Sequence, residues 1–461
     1  MQKLISLLLA TALLLALVTA CTPAVPKRTS SSHLNDIAIT DFSIVYAEES
    51  YGYNQRAAQY IQAEIESRTG QTLPLRKDTD ATTGTYEILV GNTNREISSR
   101  LEPVSGSTQF TILADDSRIA LEGEYFVIAA AAYYFIHTYI PQNDYNAVIP
   151  KELTTHDPIV ETPDNYIMLI GDGMGVNQTL LFEALENDRE YGHDENQFFG
   201  YYLPYAGFSR TNSLSGVTDS AAGGTALSSG FKTLNEYIGL DKDFNPLQSI
   251  TELAGSRGMA TAVMSTEVNT GATPASFSAH VTDRDSSGEI SASQLVIRQN
   301  YGTIIDCGYN YYNQKQITQI CDRVAKNLNK LGEDPDGFFM MYEEAYIDKH
   351  NHNNDMPAAF NALIRFNRVI AVVMEYAFYH PNTFVLITAD HESGGLTKTD
   401  NGFVYTYDDH TGADVPVFAY GMGAELFDGV TVENIQIPMT IATFMGVNDF
   451  GDQSQFKPLG K

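Results

Sequence analysis

Three short apolar runs, residues 166–170, 338–342 and 383–388, each lead directly into a carboxylate: Asp172, Glu343 and Asp390. Runs of five or six apolar residues separated by helical stretches are the pattern of strands buried on both faces, which requires a sheet covered by helices on both sides. The runs at 259–264 and 415–420 extend the pattern, and the fold class it predicts is α/β with a central sheet. Open α/β sheets collect their ligands just outside the carboxyl ends of the strands. One carboxylate there is ordinarily a helix cap. Three of them, one followed at once by His391, favour a metal cluster over three separate caps.

A chain of 461 residues is too long for one small domain, and two blocks follow its N-terminal segment. In the first, residues 34–161, the pattern predicts strands at 37–46, 86–90, 110–114 and 118–121. It also predicts helices at 54–69, closed by Gly70, and at 124–140. This small α+β unit resembles the accessory domain that precedes the catalytic domain in some bacterial glycosidases. No pair of acids in it is arranged for catalysis, so it reads as a spacer or packing domain, with carbohydrate binding as the other reading. The second block, residues 162–461, carries the chemistry. Against 28 basic side chains stand 57 acidic ones, a formal charge of -29, which repels nucleic acid and excludes binding to it by charge.

Residues 1–20 read as a signal peptide: Lys3 precedes an apolar run over 4–20, and Val18-Thr19-Ala20-Cys21 follows the lipobox pattern of bacterial lipoproteins. That resemblance implies cleavage before Cys21, lipidation of its sulfur, a tether over 21–33 and an extracytoplasmic protein anchored to the membrane. An uncleaved anchor helix is the alternative. In such a compartment the two remaining cysteines, Cys307 and Cys321, have the option of pairing, which spacing alone leaves open.

Asp348 and His352 stand four residues apart, on one face of a helix or helical turn, and with His410 they make three N/O donors, the number a catalytic zinc takes while keeping a position open. Asp172, Asp390 and His391 make a second such set. His350, between Asp348 and His352, points elsewhere and reads as a surface histidine. Ser220, in Val217-Thr218-Asp219-Ser220-Ala221-Ala222-Gly223-Gly224, falls where a loop enters a helix, and helix N-termini favour anions such as phosphate. It is either a cap or a nucleophile. A serine hydroxyl needs its pKa lowered to attack, which a neighbouring zinc does without a histidine base.

Seven stretches, in order, resemble the alkaline phosphatases: Ile170-Gly171-Asp172-Gly173-Met174-Gly175, Asp219-Ser220-Ala221-Ala222, Ala272-Thr273-Pro274-Ala275, Ala279-His280-Val281-Thr282-Asp283-Arg284, residues 343–352, Thr388-Ala389-Asp390-His391 and His410-Thr411-Gly412. The resemblance covers nearly all of the second block. It implies a phosphomonoester hydrolase working through phosphoserine at Ser220, with two Zn2+ and one Mg2+ per site. One zinc is then held by Asp348, His352 and His410 and the other by Asp172, Asp390 and His391. Magnesium is held by Asp172, Thr273 and Glu343. Arg284 clamps two phosphate oxygens, Lys349 reaches phosphate through water, and His280 is structural. Two departures stand out. Gly271 lies where well-studied bacterial members carry an aspartate that hydrogen-bonds magnesium-bound water, and Glu344 replaces a small residue. The family habit is a homodimer, but the short stretch between His391 and His410 reduces the insertions that shape dimer contacts in some relatives. A phosphodiesterase of the same superfamily, or a surface lipoprotein that binds glycan or phosphate without turnover, are the alternative functions.

Overall fold

The computed structural model describes residues 32–48, 52–80, 84–101, 109–123, 127–141, 145–156, 163–184, 198–309 and 314–460. The expected signal segment, Cys21 and nearly all of the tether lie outside them.

The first block is a mixed sheet with two helices. Its elements are β1 (Phe42–Tyr46), α1 (Tyr53–Thr69), β2 (Leu75–Lys77), β3 (Tyr86–Val90), β4 (Phe110–Ala114), β5 (Arg118–Glu122), α2 (Val127–Tyr139) and β6 (Thr154–His156). The strand order is β2-β1-β3-β5-β4-β6. The first four of these run parallel, and β4 runs against both of its neighbours, β5 and β6, so half of the unit is built on parallel crossovers. The strand expected over 37–46 is interrupted by a 3-10 turn at Ile39–Asp41. Helix α1 ends where Gly70 adopts φ 73° and donates its N–H to Glu66 O, a left-handed position that costs glycine nothing. Along β1, β3 and β5 side chains alternate. Ile44, Ile88 and Leu121 face the helices, while Val45, Leu89 and Ala120 face a smaller cluster under Ile97 and Leu101.

The second block holds β7 (Asn165–Gly171), β8 (Tyr205–Arg210), α3 (Ser220–Ser229), β9 (Ala260–Ser265), α4 (Ala272–Ser276), β10 (Ile304–Cys307), α5 (Gln314–Leu331), β11 (Phe338–Glu344), α6 (Tyr346–Asn351), α7 (Met356–Tyr379), β12 (Thr383–Thr388), β13 (Val415–Tyr420) and β14 (Thr431–Glu433). The strands form an eight-stranded sheet in the order β10-β9-β11-β7-β12-β13-β8-β14. Only β13 runs against the others. Both faces are apolar. Ile167, Leu169, Met340 and Ile387 pack toward α7 in a core continuous with the first block. Met168, Ile170, Met341 and Leu386 pack on the opposite side. Helix α7 is long and apolar enough to cross a membrane by length and composition, yet Leu363, Phe366, Ile370 and Val373 are buried in that core.

The blocks meet through α2 and α7. The Tyr60 and Tyr379 rings lie 4.7 Å apart, and Arg56 Nε is 2.7 Å from Glu375 Oε1. Cys307 and Cys321 are both free thiols. The reason is topological. Cys307 pairs in register with Ser265 and its Sγ approaches Val263 O on one side of the sheet. Cys321, on α5, packs into the core of the other side.

Candidate active site

Strand β7 delivers Asp172 through a turn that only glycine can make. Gly173 has φ +70°, and a Cβ there would lie 2.2 Å from Ser393 Oγ and 2.8 Å from Asp348 Cβ. Strand β12 delivers Asp390 and His391, β11 delivers Glu343, and α6 delivers Asp348, with His352 as its C-terminal flank. Five of these side chains, Asp172, Asp348, Asp390, His391 and Glu343, are buried.

Their geometry is convergent. His391 Nε2 lies 3.4 Å from Asp172 Oδ1 and 3.4 Å from Asp390 Oδ2, and 3.1 Å from Ser220 Oγ. Beside it, Asp348 Oδ1 lies 3.4 Å from His352 Nε2 and 3.5 Å from His410 Nε2. The His391 and His410 rings stack at 3.6 Å. The two other ring nitrogens fix the tautomers. His352 Nδ1 is 2.9 Å from Asp408 O and His410 Nδ1 is 2.8 Å from Thr218 O, so both Nδ1–H groups donate to carbonyls. The two Nε2 atoms then face each other at 3.0 Å, an arrangement that a proton or a cation between them stabilises. An Nδ1–H bound to a carbonyl with Nε2 free is how zinc-ligating histidines are oriented.

Ser220 is the first residue of α3, and Asp219, not Ser220, is its cap: Asp219 Oδ1 accepts from Ala222 N at 2.9 Å. The serine oxygen is thereby released from capping and sits at the positive end of the helix. The other carboxylate oxygen of Asp219 accepts from Arg284 Nη1 at 2.9 Å, which orients the guanidinium beside the serine. A third group adjoins Asp172. Glu343 accepts from Ser265 Oγ, and Glu343 Oε1 and Thr273 Oγ1 are both buried without a well-formed hydrogen bond. Asp172 Oδ1, Asp348 Oδ1 and Asp390 Oδ2 share that condition. Buried polar atoms are almost always satisfied, so this concentration of orphan donor atoms fits residues that bind cations. The donor sets also differ in kind. The two histidine-containing sets suit zinc, and the all-oxygen set of Asp172, Thr273 and Glu343 suits magnesium.

Electrostatics say the same. Burial, and then the charge of Asp390, pushes Asp172 well above the usual carboxylate range. Burial followed by Asp348 takes Asp390 up to about 7. Burial followed by Glu267 takes Glu343 up to about 8. His391 is pushed down by burial and by His410. Burial works against Asp348 ionising, but the surrounding imidazoles, His410 first, hold it low. In return, against its own burial, His410 is raised to about 9 by Asp348. The site carries more buried negative charge than the protein's own cations balance.

Every catalytic or ligand residue named from the sequence is thus gathered at one sheet edge, apart from Cys21, which lies outside the described residues. Lys349 is there too, with Nζ on Glu267 Oε1. His280 is structural, between Gly239 O and Glu252. His350 is half-buried rather than on the surface, its ring 5.9 Å from that of Tyr346. Two acids escaped the sequence reading. Asp409 forms a further potential ligand group with His352 and His410, and Glu267 lies just past the carboxyl end of β9. The strand-end criterion that singled out Asp172, Glu343 and Asp390 applies equally to Glu267.

A serine at a helix N-terminus, flanked by two histidine–carboxylate sets at the carboxyl edge of an α/β sheet, defines a hydrolase of the metal-dependent α/β type. The chain belongs to the alkaline phosphatase family, whose model matches residues 164–307 and 312–407, and it is an enzyme of that class. Alkaline phosphatase 3 of Bacillus subtilis (strain 168) is 29% identical over 325 residues, covering 58% of this chain and 69% of its own length. Alkaline phosphatase 4 of the same organism is 26% identical over 295 residues, 52% of this chain and 63% of its own. Among solved structures, the alkaline phosphatase from the Antarctic bacterium TAB5 superposes with a TM-score of 0.55 at 26% identity, covering 63% of this chain and 100% of that one.

Proposed function

We propose that this enzyme hydrolyses small phosphate monoesters through a phosphoserine at Ser220, with two zinc ions and one magnesium ion bound at the sheet edge. The observation that carries the reading is Ser220 Oγ, freed from capping, 3.1 Å from His391 Nε2 among acids and imidazoles with unsatisfied lone pairs. Asp348, His352 and His410 hold one zinc, and Asp172, Asp390 and His391 the other. Asp172, Thr273 and Glu343 hold magnesium. When bound, the ions supply the positive charge that favours an ionised serine, a hydroxide nucleophile and a departing alkoxide.

The chain's own groups do the rest. Backbone N–H groups at the start of α3 and the planar fork of Arg284 bind the phosphate oxygens and hold phosphorus in line with Ser220 Oγ. Ser220 loses its proton to solvent and attacks. The Oγ–P bond forms as the ester P–O bond breaks, and the alcohol leaves with a proton from water. A water oxygen then displaces Ser220 from phosphorus, giving inorganic phosphate and the free serine. Positioning and charge neutralisation dominate such transfers, and Lys349 adds positive charge at the rim. Both nucleophiles are deprotonated species, so activity rises toward alkaline pH.

Hydrolysis of p-nitrophenyl phosphate tests this reading. Activity should collapse with chelator and in Ser220→Ala, and rise from pH 6 to 9. Faster turnover of bis-p-nitrophenyl phosphate than of the monoester would transfer the site to diesters. Outside the cytoplasm, a lipid on Cys21 would tether the enzyme to the membrane. The sequence around Cys21 supports this, and Cys21→Ala should move the protein from the membrane fraction to the medium or periplasm.

A further inference from the structure

Gly271 brings no side chain to the all-oxygen set, yet the space there is not vacant. A Cβ built on Gly271 would meet Glu267 Oε2 at 2.3 Å, Cδ at 2.5 Å and Cγ at 2.7 Å. The Glu267 carboxyl group therefore occupies the volume into which a side chain at 271 would grow. It comes from the loop after β9, one turn earlier in the chain. That loop is anchored by Ser265, whose Oγ accepts from Glu267 N at 2.8 Å and donates to Glu343. The far side of the carboxylate is held by Lys349 Nζ, from the helix that carries Asp348. Its charge reaches both Glu343 and Asp172. An acid placed beside two other buried acids is repelled by them, and Lys349 makes its ion pair with Glu267.

We infer that Glu267 supplies the outer carboxylate of the all-oxygen cation site, taking the place beside Gly271 to accept hydrogen bonds from water on a magnesium ion held by Asp172, Thr273 and Glu343. The inference rests on the proposed function in placing that ion there. A divalent ion with oxygen ligands is what relieves the repulsion, and Lys349 orients the carboxylate without being a ligand. The same packing means that a side chain at 271 would displace the Glu267 carboxylate from its present place.

The test is calorimetric titration of Mg2+ into the zinc-loaded full-length protein, with zinc content measured alongside. Glu267→Gln, nearly isosteric, should weaken Mg2+ binding by about 10- to 100-fold with both zinc ions retained. Lys349→Met should weaken it less than Glu267→Gln does. The double change Glu267→Ala with Gly271→Asp should recover at least a tenth of the wild-type affinity, which a purely structural role for Glu267 does not allow. Wild-type affinity in Glu267→Gln would overturn the inference, as would equal weakening in Lys349→Met. A wild-type enzyme that hydrolyses p-nitrophenyl phosphate but takes up no Mg2+ would sink this inference, and the magnesium of the proposed function with it, while leaving the phosphomonoesterase reading intact. One that binds Mg2+ without hydrolysis would sink the proposed function alone.

Discussion

Glu343 and Glu344 are neighbours on β11, both fully buried, and they live in opposite electrostatic worlds. The strand pleat turns Glu344 toward α7, where the buried Arg365 grips it: Nε donates at 2.5 Å and a second guanidinium nitrogen makes a parallel bond. Glu344 also accepts from Thr266 Oγ1 and Tyr346 N. The first block repeats the solution. Burial opposes ionisation of Glu87, but Arg95 and Arg118 overcome it and lower its pKa. Glu343, one residue away on the other face, has hydroxyl donors and further acids for company, and Asp172 and Asp390 have each other and His391, which burial holds uncharged. Burying an ion costs several kcal/mol unless it is matched. Where the protein supplies a guanidinium, the acid is a structural clamp; where it does not, the acid is reserved for a cation from outside. The departure at Glu344 belongs to the first kind, which explains why an extra acid beside the site does not disturb it.

Substitutions on the two sides of this divide should have opposite signatures. Asp390→Asn should lower phosphatase activity by at least ~10³-fold, while the chelated protein unfolds at the same or a higher urea concentration, because an acid repelled by Asp172 and Asp348 is gone. Arg365→Met should do the reverse: a loss of stability of about 3–5 kcal/mol, since Glu344 is left buried and alone, with zinc content kept in the folded fraction. If Asp390→Asn destabilised the chelated protein as strongly as Arg365→Met, the two classes of acid would not differ.

The pH dependence of stability sharpens the same contrast. In chelator, folded Glu343 and Asp390 keep their protons to about 8 and about 7, while unfolded carboxyls release theirs near 4. The native state therefore holds more protons than the unfolded state between those values. Unfolding free energy must fall as pH rises through that window, by up to about 1.4 kcal/mol per pH unit for each retained proton. Glu87 acts in the other direction: its pKa is lowered, so its contribution is present above the unfolded value and is lost as pH falls through the folded one. Urea titrations at pH 5, 6.5 and 8 should show the fall in chelator and a flat response with zinc and magnesium present. A flat response in chelator would mean that the acid cluster is already balanced.

The sheet was readable in the sequence because its strands are buried on both faces, which leaves uninterrupted apolar runs ending in chemistry. Much of the site was readable because Asp172, Glu343, Asp390 and His391 follow such runs and Asp348 sits one helical turn from His352, whereas His410 lies in a polar loop and Thr273 came only with the family resemblance. What the sequence withheld are relations between elements. Asp219 rather than Ser220 caps α3, and no local pattern says which of two adjacent cap-forming residues takes the position. Glu267 lies four residues before Gly271, where only the turn into α4 reveals that its carboxylate fills the glycine's space. The free state of Cys307 and Cys321 follows from their lying on opposite sides of the sheet, which depends on strand order. The parallel half of the first block was likewise hidden, since strands β1, β2 and β3 are short and their pairing partners are set by crossovers.

Between the matched and unmatched acids lies a third kind, and it bounds the comparison from below. Glu375 on α7 meets Arg56 on α1 across the junction of the two blocks, with 17% and 44% of the side chains exposed. Water competes for both groups, so the ion pair contributes little beyond its geometry. Arg56→Ala should lower stability by at most about 1 kcal/mol and leave phosphatase activity within twofold, measured by urea unfolding and p-nitrophenyl phosphate turnover. The junction itself is held by apolar burial around α2 and α7 and by the Tyr60–Tyr379 contact. A loss comparable to that of Arg365→Met would show that the first block positions α7, and through Arg365 and Glu344 the end of β11, by electrostatic grip. A small loss leaves the first block as a unit packed on the enzyme by its apolar face.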